Sequence, residues 1–212
     1  MNGRTGFTAV EVLVATAATL LLLASVGTAA AFQRRLLARE TASLERREAC
    51  ARVLGMIARE VRGAGFDPVA DGTFDGALDG IAVARQALLE IRSDHHGAQP
   101  GTAPDGEVDL GSDERIAFFR SPSSRSVALS LGSQTQSLTW DVVVPAGGLA
   151  FRYFDGCGRE LVPEEPAGLS AEDRRRIRRV TISIEVSAAG GTDSLAGEAS
   201  AFLRNRAAEC GG

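Results

Sequence analysis

Glu11 stands directly before Val12 to Phe32, a run of 21 uncharged residues. An ionised carboxylate at the mouth of such a run costs about 3 kcal/mol in a bilayer unless it finds a partner, so the presence of Glu11 points to a task inside the membrane. The other groups with chemistry to offer are scattered. His95 and His96 are adjacent, and Asp94, Asp105, Glu107, Asp109, Asp113 and Glu114 crowd the segment from Ser93 to Glu114. Clustered carboxylates and glycines suit a calcium ion, but their spacing does not follow the EF-hand ligand pattern, so a solvated loop without metal is expected, with exposed histidines. Cys50, Cys157 and Cys210 have no metal-ligand spacing. There is no Gly-x-Ser-x-Gly, no phosphate-cradling glycine loop and no spaced histidine pair. No catalytic residue or cofactor is therefore assigned, and an enzyme is not expected.

The charge pattern points away from nucleic acid. All 23 basic residues are arginine. Residues 33 to 63 hold eight of them against four glutamates, and residues 64 to 212 hold fourteen against 22 acids. A phosphate-binding surface would concentrate its cations, whereas this chain spreads them. The group Arg174 to Arg176 reads as a solvated turn.

About 20 uncharged residues at 1.5 Å each span the hydrocarbon core as a helix. A removable Sec signal is the alternative, since Ala29-Ala30-Ala31 fits a small-residue cleavage site and Arg4 supplies the leader charge. Glu11 speaks against it, and so does helical character continuing past residue 31. From Gln33 to Arg62, Leu36, Leu37, Leu44, Ala51, Leu54, Ile57, Ala58 and Val61 recur at helical spacing, which predicts one buried stripe. Gly63-Ala64-Gly65-Phe66-Asp67-Pro68 ends the helix. It should run from about residue 8 to 63, near 80 Å at 1.5 Å per residue. Beyond it, short segments divided by Gly, Asp, Ser and Pro predict an antiparallel sheet, with strands at 88–92, 115–120, 126–131, 137–144, 148–154, 180–187 and 199–204. Ser170-Ala171-Glu172-Asp173 resembles a capping box before a helical turn. The fold class is α+β, with the helix packed on the sheet.

Arg4-Thr5-Gly6-Phe7-Thr8-Ala9-Val10-Glu11-Val12-Leu13 resembles the processing site of type IV prepilins. The resemblance implies cleavage by prepilin peptidase between Gly6 and Phe7, methylation of the Phe7 amine, and Glu11 as the fifth mature residue. It divides the chain into a leader (1–6), a transmembrane half-helix (7–32), an amphipathic stem (33–63) and a periplasmic or extracellular head (64–212). Stretches of the head are similar to PilW-like minor pilins and J-type pseudopilins of type II secretion: 57–66, 149–155 with Gly158 and Leu161, 177–182 and 203–205. The implied role is a non-enzymatic minor pilin in a type IV pilus or its priming complex, with a J-like pseudopilin as the alternative and a Sec-secreted periplasmic binding protein as the second. The implied partners are other major and minor pilins or pseudopilins, prepilin peptidase, the inner-membrane assembly platform and a tip adhesin. The implied location is the inner membrane, single-pass with a periplasmic head, then the pilus tip or a periplasmic pseudopilus. In that family the glutamate of an incoming subunit meets the methylated amine of the subunit above, so this chain is expected to have a subunit above it.

A disulfide follows from strand geometry if 148–154 and 199–204 flank 180–187. Both outer strands then run the same way, and the five residues after Arg204 can cross two strand spacings of about 4.8 Å. Cys157, in the turn Asp155-Gly156-Cys157-Gly158, would pair with Cys210, leaving Cys50 a buried, inert thiol on the helix.

Overall fold

Ala9 to Gly63 form one continuous helix, α1, of 55 residues. The computed structural model that shows it describes residues 8–66, 80–95, 102–105, 107–108, 113–139, 142–188 and 193–204. The expected processing residues Gly6 and Phe7, together with His96 and Cys210, lie outside the described residues.

The chain divides into two units, 1–44 and 45–212. In the first, α1 is exposed at every residue from Ala9 to Thr41, and it is long and apolar enough to cross a membrane. Its hydroxyls suit that role. Thr19 donates to Ala15 O at 2.7 Å, Ser25 to Leu22 O at 2.8 Å and Thr28 to Ser25 O at 2.8 Å, so none needs a partner from the surroundings. The helix passes through Gly27 without a break.

In the second unit, the rest of α1 buries Cys50, Val53, Leu54, Ile57, Ala58 and Val61, residues three and four apart that share one face. This corrects the expected stripe. Leu36, Leu37, Leu44 and Ala51 are exposed, whereas Cys50 and Val53 are buried. At about 100° per residue the buried face centres on Cys50 and Ile57, and Leu44 and Ala51 stand roughly 100° around from it. The helix ends as expected: Phe66 N donates to Gly63 O at 3.0 Å, and Gly65 takes the left-handed conformation at φ +72°.

The strands form two antiparallel sheets rather than one. The first is a meander of β1 (Ile81–Ala84), β2 (Leu88–Arg92), β3 (Arg115–Ser121), β4 (Ser126–Leu131) and β5 (Gln134–Ser137) in sequence order. The second contains β6 (Val142–Val143), β7 (Leu149–Phe154), β8 (Glu160–Leu161), β9 (Arg179–Ala188) and β10 (Ser194–Phe202), in the order β10-β9-β7-β8 with β6 also on β9. The single strand expected at 137–144 is divided because the chain changes sheets there. Ser137 pairs with β4 and Val142 with β9, while Leu138 N bonds Val127 O at 2.8 Å and Val144 N bonds Arg125 O at 2.7 Å. A short helix, α2 (Ala171–Arg176), precedes β9, and the Ser170 hydroxyl accepts from Asp173 N at 3.1 Å. Its cap therefore has the expected form.

One core joins α1 to both sheets. It includes Ile57 and Val61 from the helix, Ile81, Leu89 and Phe118 from the first sheet, and Phe151, Tyr153, Ile182 and Ile184 from the second. Each buried aliphatic side chain of this size contributes about 1.5–3 kcal/mol. The buried Tyr153 hydroxyl donates to Arg85 O at 2.7 Å, joining β7 to the β1–β2 turn. Burial, and then the charge of Glu165, push this phenol well above its usual pKa, so it remains a neutral donor.

Candidate functional site: the amino-terminal carboxylate and the Cys157 turn

The amino-terminal site is built by the start of α1. Thr8 N and Thr8 Oγ1 both donate to Glu11 Oε2, at 3.1 and 3.2 Å, and Glu11 N donates to Thr8 Oγ1 at 3.3 Å. This reciprocal arrangement is a capping box, which satisfies two of the donors that a helix start leaves open. Thr8 was missed as a site residue, although its signal, Thr followed three positions later by Glu before an apolar run, was in the sequence. The consequence is positional. Glu11 is held at the first turn, where the helix dipole favours a negative charge, and its hydrogen bonds fall on Oε2. Oε1 accepts none among the described residues.

The second site is the turn after β7. Cys157 is disulfide-bonded and Cys50 is a free, buried thiol. Cys210, the partner expected for Cys157, lies outside the described residues. The expected strand arrangement is present: β7 and β10 flank β9, both antiparallel to it. Asp155 organises the turn. Its Oδ1 accepts from Cys157 N and Arg159 N, both at 2.9 Å, and its Oδ2 accepts from Arg159 Nε at 2.9 Å. Burial alone would raise the Asp155 carboxyl, but the Arg159 backbone and guanidinium and the Cys157 N–H outweigh it and hold the pKa below the ordinary value. Gly158 closes the turn at φ +80°, a conformation that disfavours a side chain.

The acidic segment differs from the expected solvated loop at both ends. Ser93, Asp94 and Glu114 are buried. Ser93 N bonds Glu114 O at 3.0 Å, Asp94 N bonds Phe66 O at 2.9 Å and His95 N bonds Glu114 Oε1 at 3.0 Å. These acids tie the ends of β2 and β3 to the helix terminus. His95 is exposed, with its ring against Phe66 at 5.9 Å between centroids. Among the described residues no group of three or more His, Cys, Asp or Glu could hold a metal ion. Arg176 pairs with Asp173 at 3.2 Å and reaches Asp155 at 3.5 Å, so the arginine group of α2 includes structural ion pairs.

No protein-family model matches the chain, and no curated protein matches it. The fold is a long apolar amino-terminal helix whose second part packs on an antiparallel β head, consistent with the generic pilin-like architecture.

Proposed function

We propose that this chain is a non-enzymatic subunit of a type IV pilin-like fibre, of the minor pilin kind, made as a prepilin and stored in the inner membrane. The observation that carries the reading is the single helix α1. Its apolar part is exposed along its length, its other part belongs to the folded head, and its first turn presents Glu11 from a capping box. A removable signal would have no use for a carboxylate fixed there, or for helical continuity with the head core. In this reading the peptidase cuts after Gly6, the Phe7 amine is methylated, and the head folds in the periplasm. Glu11 then receives the ammonium of the subunit above through Oε1. An ion pair at the membrane boundary recovers much of the cost of burying the carboxylate, and it sets the axial position of one helix against the next.

The test is Glu11→Gln. The amide keeps an oxygen for the Thr8 donors, so folding, insertion and cleavage after Gly6 should persist, while co-purification with partner subunits should fall. Normal incorporation of the Gln variant would contradict the proposal.

A further inference from the structure

Among the described residues β10 has one neighbour, β9, through nine consecutive pairs from Ser194↔Ser187 to Phe202↔Arg179. The phase of the ladder is set by Leu203 N bonding Arg178 O at 2.9 Å, and by Glu185 N bonding Gly148 O on the other side of β9. Odd-numbered residues of β10 therefore turn their N–H and C=O toward β9. Ala196, Glu198, Ser200 and Phe202 turn theirs away, toward the open edge. These four are exposed, Phe202 at 64%, while Leu195, Gly197 and Ala199 face the helix half-buried. A row of donors and acceptors at a two-residue repeat is a template on which another extended backbone can pair.

The other sheet edges are blunted. β6 and β8 have two residues each, β5 has four polar ones, and β1 is short with an irregular register between Ile81 and Val83. β10 has nine residues, no proline, an unbroken register and one charge, Glu198. That charge indicates what covers the edge. Glu198 is the central residue of β10, so two copies paired antiparallel at full overlap would set Glu198 against Glu198, and like charges directly opposite are destabilising. On the solvent face of the same sheet, a shallow groove of about 390 Å³ crosses from Gly148 and Ala150 over β9 to Ala196, with Glu185 and Glu198 along it. Glu198 accepts the Ser183 hydroxyl at 3.3 Å and its charge also reaches Arg152 across the sheet, but neither Glu185 nor Glu198 has a salt bridge among the described residues.

We propose that β10 is a docking edge for an extended segment of a different polypeptide, which adds a strand to the second sheet and sets a lysine or arginine opposite Glu198. The side chain of that residue would lie beside Glu198 on the solvent face of the sheet, with its charge against the Glu198 carboxylate. The proposal stands apart from amino-terminal processing, since the edge has the same chemistry whether or not Phe7 is methylated.

The test uses full-length protein in detergent and three labelled nine-residue peptides of alternating Thr and Val. One has a central Lys, one a central Glu, and the third is the Lys peptide N-methylated at alternate amides. By fluorescence anisotropy the Lys peptide should bind roughly three- to tenfold tighter than the Glu peptide, and N-methylation should abolish binding. Glu198→Arg should invert the order of the first two. In hydrogen exchange, the amides of Ala196, Glu198, Ser200 and Phe202 should gain protection with the Lys peptide. Equal binding of the Lys and Glu peptides, an order unchanged in Glu198→Arg, retained binding of the N-methylated peptide, or no binding at all would overturn the proposal. A homodimer held through β10 would overturn it too.

Discussion

Replacing Gly197 by alanine tests how α1 seats on the second sheet. A methyl group built on Gly197 would collide with Cys50 Sγ and lie 3.1 Å from Leu54 Cδ1. Gly197 is not among the residues with positive φ, so its backbone suits alanine, and the change gains about 0.4–1 kcal/mol through the unfolded state. Adding a methyl to a packed core costs about 1–3 kcal/mol. The collision falls on a short side chain fixed to a helix, so the cost should win, leaving a net loss of about 1–2 kcal/mol. For a folded unit of this size that is a drop of about 3–6 °C in Tm. Cys50→Ala removes the colliding sulfur and costs about 1 kcal/mol by itself. In the double variant the new methyl occupies the vacated space, so the two losses should fall short of their sum by about 1 kcal/mol or more. Thermal unfolding of the four full-length proteins in detergent, followed by circular dichroism, measures the cycle. A Gly197→Ala protein as stable as its parent, or single losses that add to within about 0.5 kcal/mol, would refute the packing described.

Three further outcomes follow from the head. The Asp155 pKa is lowered in the folded state, so its contribution to stability is present above the unfolded carboxylate value of about 4 and is lost as pH falls through the lower folded value. Asp155→Asn should therefore lower Tm near neutrality and flatten its decline on acidification; an unchanged pH profile would count against the turn's dependence on this carboxylate. The Cys50 thiol, buried and with its pKa raised by that burial, should resist alkylation until the head unfolds, and non-reducing peptide mapping should join Cys157 to Cys210; a bridge containing Cys50 would be the opposite result. Arg115 holds Glu90 through two bonds of 2.7 and 3.0 Å, and the Glu90 side chain is only 8% exposed. Arg115→Ala should cost about 1–3 kcal/mol by leaving that acid with its weaker Arg92 contact, and Glu90→Gln in the Arg115→Ala background should recover part of the loss.

Much of this architecture was legible because its signals are local. The uncharged run, the Gly63–Gly65 terminus, the Ser170 cap and the alternation of Val180, Ile182, Ile184 and Val186 each specify one element by residue type and spacing. The division into two sheets was not, because it depends on which distant strand each segment meets, and 137–144 reads as one strand although its ends bond to different sheets. β1, β5 and β8 were missed because they are short or polar and are held mainly by their neighbours. Ser194 to Glu198, the unexpected first half of β10, has no β-branched or aromatic residue and exists through its pairing with β9. The helix face was misjudged because Leu44 and Ala51 fit a heptad while standing to one side of the packed face. At the sites, Glu11 stood out as a charge beside an apolar run. Asp155 did not, because its role lies in a four-residue turn whose bonds only the folded chain displays.

The most direct test of the account is the intact mass of the mature protein purified from its native membrane. The account predicts a chain that begins at Phe7, carries a methyl group on its amine and retains all of α1. A chain beginning at Phe32 or Gln33, as removal of a Sec signal would leave it, or one that keeps Met1 to Gly6 when prepilin peptidase is present, would contradict it.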